Sequence, residues 1–179
     1  MVNKLKELFK RSFEIFIESD RESILGDVNE RNLCGRLSIH MSNLLQEYDL
    51  EDYFVDPEYN RKQDGEIKTI LDENYEVVTI NCDLILHSRG NTVNNDNLIA
   101  LEMKKSSRPQ VEKDNDRKRL RALTKSSFDD VWSADGLVHP EHVCNYKLGI
   151  YLELDIPSRI FLLEEYGNGV RQEARNVAF

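Results

Sequence analysis

The sequence has few cysteines and none of the paired spacings that mark disulfide or zinc frameworks. Its three cysteines, Cys34, Cys82 and Cys144, are odd in number and lie far apart, so a disulfide-stabilised fold is not expected. Cys34 and Cys82 neighbour core-like residues and are predicted to be small buried apolar groups. The segment His139-Pro140-Glu141-His142-Val143-Cys144 offers zinc ligands, but a closed site needs four and no second paired set exists. A structural loop is therefore favoured for that segment.

Long apolar runs are also missing. No stretch approaches the roughly 20 apolar residues that a membrane-spanning helix needs, and the first seven residues, MVNKLKE, carry charges where a secretory signal has its apolar region. We therefore expect a cytoplasmic protein without a membrane partner. The 179 residues suit one domain, 1–179, which is large enough to bury a sizeable core without staples.

Motifs of several common enzyme classes are absent as well. The chain contains no glycine-rich phosphate loop, no G-x-S-x-G elbow and no convincing Cys-His nucleophile pair. Its net charge of −9, from 24 basic and 33 acidic residues, argues against nonspecific gripping of long nucleic acid. That charge is compatible with a local basic cleft, and with a carboxylate site that needs a divalent cation before it accepts a phosphate.

The apolar periodicity predicts an alternation of helices and strands. Helical spacing indicates a first amphipathic helix over 4–18 and a second from Asp27 or Asn29 to Tyr48. Strand-like composition follows, then a charged helix, then two further strands and a turn. The predicted strands are 52–56, 75–87, 98–104, 146–154 and 159–166, with the charged helix at 109–125 and the turn at 167–169.

Charged residues lie inside two of these apolar strands. Asp83 is embedded in 79–86, TINCDLIL, whereas Glu102 and Lys104 belong to 99–104, IALEMK. Buried charge is expensive, so its presence needs a reason. Side chains alternate along a strand, so Glu102 and Lys104 share a face. If the two strands pair as a hairpin, Asp83 can lie beside Glu102 on that face.

The predicted trio has the composition of a metal site. Two close carboxylates repel each other unless a cation lies between them, and Mg²⁺ or Mn²⁺ binds carboxylates together with water and phosphate oxygens. Such a metal would polarise a phosphodiester and activate water, while Lys104 would orient that water or neutralise growing charge. The alternative is a solvated cross-strand pair of Glu102 and Lys104, with Asp83 an edge-strand charge.

At these residues the chain resembles the PD-(D/E)XK nuclease superfamily. Asp83 matches the catalytic Asp of the second core strand, and Glu102-Met103-Lys104 matches the E-x-K of the third, although Asn81-Cys82 replaces the commoner proline before the Asp. The resemblance covers roughly 27–154. It implies an α/β, restriction-endonuclease-like αβββαβ core with a mixed sheet flanked by helices, plus an N-terminal helix and a C-terminal hairpin.

The resemblance also implies residue roles and a function. Asp83 and Glu102 would hold Mg²⁺ or Mn²⁺ with the Met103 carbonyl, Lys104 would assist catalysis, and Glu30 would be an auxiliary catalytic group on the preceding helix. The implied activity is metal-dependent hydrolysis of nucleic acid, DNA rather than RNA, by a protein compatible with a homodimer. The alternative is a catalytically silent member of the fold that binds nucleic acid or protein.

Basic residues after the motif are candidates for phosphate contacts. Lys105 and Arg108 follow it directly, and Arg117 lies in a basic run on the charged helix. The run comprises Lys113, Arg117, Lys118, Arg119 and Arg121. Interleaved acidic residues at helical spacing leave open a solvated, self-paired helix face instead.

Overall fold

The computed structural model describes residues 1–58, 69–71, 77–79, 82–91, 95–125 and 145–179. Four helices and eight strands lie in these ranges. The helices are α1 (Val2–Ser19), α2 (Arg21–Leu25), α3 (Glu30–Leu44) and α4 (Gln110–Leu123), and a 3₁₀ turn, Leu45–Tyr48, continues α3. The strands are β1 (Phe54–Pro57), β2 (Thr69–Leu71), β3 (Val77–Thr79), β4 (Leu84–His87), β5 (Asn97–Lys105), β6 (Leu148–Asp155), β7 (Ile160–Gly167) and β8 (Val170–Ala178).

Apolar periodicity and a capping residue define the two long N-terminal helices. The side chains on one face of helix α1 pack into the core, and each of them is buried. The large side chains on this face are Leu5, Leu8, Phe9, Phe13 and Phe16. Helix α3 begins after Asn29, whose side-chain oxygen accepts a hydrogen bond from the amide of Asn32 at 2.8 Å. That cap satisfies a backbone donor which the first helical turn leaves unpaired.

Six strands form one mixed sheet in the order β1-β4-β5-β6-β7-β8. The pairs β1–β4 and β4–β5 are antiparallel, β5–β6 is parallel, and β6–β7 and β7–β8 are again antiparallel. A parallel pair requires a crossover connection, and α4 lies in the one between β5 and β6. Strands β2 and β3 pair with each other in a separate two-stranded sheet.

The sheet separates two unequal layers. Helices α1 and α3 pack with one face into the main apolar cluster, which includes Leu101 and Met103 of β5 and Phe161 of β7. Helix α4 covers the opposite face, where a smaller cluster contains Ala100 of β5 and Tyr151 of β6. Because side chains alternate along a strand, Ala100, Glu102 and Lys104 of β5 face α4, whereas Leu101 and Met103 face α1 and α3.

The α/β class, the mixed sheet flanked by helices and the C-terminal hairpin predicted from the sequence are confirmed. The single long strand predicted over 75–87 is wrong. Val77–Thr79 belongs to the small sheet and Leu84–His87 to the large one, so Asp83 directly precedes β4 rather than lying within a strand. Uniform apolar composition does not reveal where a chain leaves one sheet and enters another.

Pro57 belongs to β1, an outermost strand of the sheet, where a missing amide donor is tolerated. None of the helices in the described ranges is long and apolar enough to cross a membrane. The segment 139–144, weighed above as a zinc site, lies outside the described residues.

Candidate functional site

Asp83 and Glu102 meet at the end of the β4–β5 pair. Leu84 is the register partner of Leu101, so continuing the antiparallel register by one residue brings Asp83 opposite Glu102. The amide of Met103 donates a hydrogen bond to Asp83 Oδ2 at 2.8 Å. This bond fixes the Asp83 carboxylate against β5 although Asp83 itself is outside the strand. The antiparallel arrangement predicted for these residues is therefore present.

The strand register places the two carboxyl groups opposite each other on the face covered by α4, and the charge of Asp83 acts on Glu102. Burial raises the pKa of Asp83, although the Met103 amide and the Lys104 charge act in the opposite direction. Burial, followed by the charge of Asp83, raises the pKa of Glu102 well above its usual range. Glu102 is fully buried. Desolvation and mutual repulsion thus make the pair a place where an added cation would be stabilised.

Lys104 shares the face of Glu102, as strand parity predicted. Its Nζ forms an ion pair with Asp116 Oδ2 at 3.1 Å. Burial would lower the pKa of Lys104, but the charges of Asp83 and Asp116 outweigh it and raise the pKa above the ordinary value. The ammonium therefore stays charged beside the carboxylate pair.

Helix α4 contributes two residues that the sequence did not single out for the site. Arg119 Nη1 donates to Glu102 Oε1 at 2.5 Å and lies 3.3 Å from Asp116 Oδ1. The other oxygen of Glu102, Oε2, is buried and has no hydrogen-bond donor among the described residues. Asp116 and Arg119 are three residues apart, so they share a helix face. This spacing, on the helix that follows the strand with the E-x-K motif, is the sequence signal that could have identified the two residues.

Glu30 approaches the end of β5 from the N-terminus of α3. Its Oε1 accepts a hydrogen bond from the amide of Lys105 at 2.9 Å, and Arg108 Nη2 donates to Oε2 at 3.0 Å. Burial would raise the pKa of Glu30, but these two donors and the Lys104 charge lower it. Lys105 Nζ pairs with Asp27 Oδ1 at 2.7 Å. Lys105 and Arg108, two of the three residues predicted to contact phosphate, thus already pair with carboxylates.

Arg117 lies in an ionic layer between α4 and the sheet. Its guanidinium donates to Glu164 Oε2 at 2.9 Å and to Glu153 Oε2 at 3.2 Å, and it stacks 4.1 Å from the ring centroid of Tyr151. Only 14% of its side chain is exposed. Lys113 also binds Glu153, at 2.9 Å. These two cations of the predicted basic run are therefore directed inward.

The residues at the carboxylate pair fit a divalent cation in donor chemistry. Glu102 Oε2 is a buried acceptor without a hydrogen-bond donor among the described residues, and the register places Asp83 opposite Glu102. The N–H and C=O of a strand residue point to the same edge, so the Met103 carbonyl faces the side on which Asp83 lies. Among the residues that the structure describes, no group of three or more His, Cys, Asp or Glu side chains is arranged to hold a metal ion. The set is thus two carboxylates and a carbonyl.

Both cysteines predicted to be buried apolar groups, Cys34 and Cys82, are buried and free of disulfides. Burial raises the pKa of each thiol well above its usual value, and the nearby carboxylates add to that effect. Neither is a reactive thiolate at neutral pH.

No protein-family model matches the chain, no curated protein matches it significantly in sequence, and no solved structure matches it significantly in fold.

Proposed function

We propose that this protein is a divalent-metal-dependent phosphodiester hydrolase that acts on nucleic acid, DNA in preference to RNA, and that it has the PD-(D/E)XK architecture. The observation that carries the proposal is the pairing of the partly buried Asp83 with the fully buried Glu102, one of whose oxygens has no hydrogen-bond donor among the described residues. Lys104 lies on the same strand face as Glu102. A buried acidic pair is a costly arrangement that a cation would relieve.

The topology supports the same proposal. In the described part of the chain, helix α3, strands β1, β4 and β5, helix α4 and strand β6 follow one another in the αβββαβ order, with the small β2–β3 sheet inserted between β1 and β4. The β1–β4–β5 strands are an antiparallel meander and β6 is parallel to β5. Glu102 lies in the third strand of this core, as the resemblance implies, whereas Asp83 lies one residue before the second strand instead of within it.

Each site residue has a chemical task in this mechanism. Asp83, Glu102 and the Met103 carbonyl would hold Mg²⁺ or Mn²⁺, which when bound supplies an activated water and stabilises charge on the phosphodiester oxygens. Lys104 holds a positive charge next to the pair, where it orients the attacking water and stabilises charge that develops in the transition state. Glu30 positions the end of β5 through the Lys105 amide.

Lys105 and Arg108 form the proposed phosphate-contacting surface. Half of the Arg108 side chain is exposed and its partner is Glu30, so a phosphate would compete with that carboxylate. Arg117 is left out of the proposed surface, because its donors bind Glu153 and Glu164 beneath α4. A cytoplasmic location and a homodimer stay predictions.

The second candidate is a catalytically silent member of the same fold that binds nucleic acid or protein. It is favoured by Arg119, which already neutralises Glu102 through its Oε1 atom. In that case the Arg119 guanidinium would be the positive charge that the carboxylates need, and the site would not require a metal ion. Metal binding separates the two candidates.

The first experiment measures thermal unfolding with and without Mn²⁺. A ligand that binds only the folded state stabilises it by RT ln(1 + [L]/Kd), about 2.7 kcal/mol at 100 times the Kd. Wild type should therefore melt at a higher temperature in Mn²⁺, and Asp83→Ala should not respond. Equal shifts in both proteins would contradict the proposed metal site.

The second experiment measures cleavage of plasmid, single-stranded DNA and RNA in Mn²⁺. Lys104→Ala should lose cleavage and keep its Mn²⁺-dependent stabilisation, because an ammonium is not a ligand for a cation. Lys104→Arg should also be poor, since a guanidinium places its donors differently. No cleavage of any substrate by wild type would favour the silent module, and undiminished cleavage by Lys104→Ala would remove this residue from the mechanism.

A further inference from the structure

The carboxylate of Asp116 is the least expected charge near the site. It lies in the middle of α4 and its side chain is only 4% exposed. One oxygen pairs with Lys104 Nζ at 3.1 Å and the other lies 3.3 Å from Arg119 Nη1. An acidic side chain in a charged helix is ordinarily solvated, so burial against two cations indicates a specific task.

Lys104 has three carboxylates within electrostatic reach. The charges of Asp83, Asp116 and Glu102 all favour its ammonium form, yet its ion pair among the described residues is with Asp116. A lysine on a flexible stem would otherwise move toward the Asp83–Glu102 pair, where its charge would neutralise the oxygens that a divalent cation needs. Asp116 therefore holds the ammonium beside the pair rather than on it.

Arg119 makes this arrangement rigid. It bridges Asp116 Oδ1 and Glu102 Oε1, so one helical turn of α4 fixes both the partner of Lys104 and one oxygen of Glu102. The other Glu102 oxygen, Oε2, is buried and has no hydrogen-bond donor among the described residues. Helix α4 thus acts on the two motif residues of β5 at once.

We infer that Asp116 is a positioning residue, which anchors the Lys104 ammonium away from the Asp83–Glu102 pair and so keeps that pair available to a divalent cation. This inference rests on the proposed function. It differs from a general electrostatic effect because it acts through one other side chain. If Lys104 is removed, Asp116 should lose most of its influence on the metal.

A double-mutant cycle between Asp116 and Lys104 tests the inference, with Mn²⁺ affinity measured by calorimetry. Asp116→Asn should weaken Mn²⁺ binding about 10-fold, within the 10- to 100-fold range seen when residues that orient a metal site are changed. In a Lys104→Met background the same substitution should change the affinity less than about 2-fold, because no ammonium remains to be misplaced. A full 10-fold loss in that background would overturn the inference.

Steady-state kinetics distinguish a positioning role from a loss of stability, because lower stability alone does not reduce kcat of the folded enzyme. Asp116→Asn should lower kcat about 10- to 100-fold with an unchanged KM for DNA, and Asp116→Glu should restore part of the loss. Glu164→Gln is the matched control, because Glu164 is equally buried under α4 but pairs with Arg117 and Arg171 instead. A kcat loss in Glu164→Gln as large as in Asp116→Asn would contradict the positioning role.

Wild type separates failure of this inference from failure of the proposed function. If wild type neither binds Mn²⁺ nor cleaves, both are overturned. If wild type binds and cleaves but the Asp116 and Lys104 effects are additive, the proposed function stands and only the positioning role is rejected.

Discussion

The two faces of the central sheet are held by different physics. On the face covered by α1 and α3, the buried side chains are mostly aromatic and aliphatic, as where Phe161 packs against Phe13 and Phe179, although Glu165 of β7 forms an ion pair there with Lys6 of α1. On the face covered by α4, acidic residues of β5, β6 and β7 meet cations of the helix. Apolar burial is non-directional, whereas ion pairs need defined partners.

This difference shows which face of the sheet stabilises the fold and which face carries the candidate site. Apolar contact contributes free energy to folding in proportion to buried area. A buried ion pair contributes little net stability but costs much if one partner is removed. The α4 layer therefore fixes orientation rather than supplying stability, and the candidate site lies at its edge, between Glu102 and Lys104.

The largest effect is expected on the apolar face. Phe161→Ala should lower the free energy of unfolding by about 3–5 kcal/mol, because it deletes a fully buried ring and leaves a cavity. Its ring contacts Phe13 edge-on at a centroid distance of 5.0 Å. Chemical denaturation measures the loss, which should be independent of pH between 4 and 8. Mn²⁺ affinity should not change, and a changed affinity would mean that the two faces are coupled.

A smaller loss is expected from the ionic face. Arg117→Met should lower the free energy of unfolding by about 2–3 kcal/mol, at or below the range for breaking a buried ion pair. The loss is limited because Arg171 still pairs with Glu164 and Lys113 still pairs with Glu153. Unlike the Phe161 loss, this one should depend on pH.

Glu164 supplies the pH dependence. Burial alone would raise the pKa of Glu164, but the hydrogen bonds from Tyr166 and Arg117 outweigh burial and lower that pKa below its ordinary value of 4.5. A lowered carboxyl pKa gives stability that is present above the unfolded value and is lost as the pH falls through the folded one. The difference between wild type and Arg117→Met should therefore be full at pH 7 and shrink below about pH 4.5. A constant difference would show that packing on Tyr151, not charge, is lost.

The smallest expected change in the free energy of unfolding is a gain instead of a loss. Asp83→Asn should stabilise the metal-free protein by about 0.5–2 kcal/mol, because it removes one of two repelling carboxylates at a site kept for function. The folded pKa of Asp83 is raised above 3.8, so its ionised form is disfavoured in the folded state. The gain should therefore grow as the pH rises through that raised pKa and disappear at lower pH. Thermal melts in a metal chelator at pH 4 and pH 8 measure it.

Much of the β5 face was accessible from the sequence. Strand parity alone placed Glu102 and Lys104 together, and the antiparallel pairing brought Asp83 opposite Glu102. Asp116 was harder to identify, although its three-residue spacing from Arg119 was a signal, because helical spacing also allowed the charged residues of α4 to pair with one another on a solvated surface. Which side of α4 faces the sheet is decided by packing of Leu120 and Leu123, a tertiary choice that local charge patterns do not encode.

The parallel pairing of β5 with β6 also has a consequence for the order of folding. Asp83 and Glu102 meet through a local β4–β5 hairpin, whereas Glu102 gains its partner Tyr151 only when β6 docks. Tyr151 lies far from Glu102 along the chain, and such non-local contacts form slowly because the loop between them must be closed. During synthesis the acidic pair is therefore formed while still hydrated, and its desolvation is deferred until the last third of the chain has emerged.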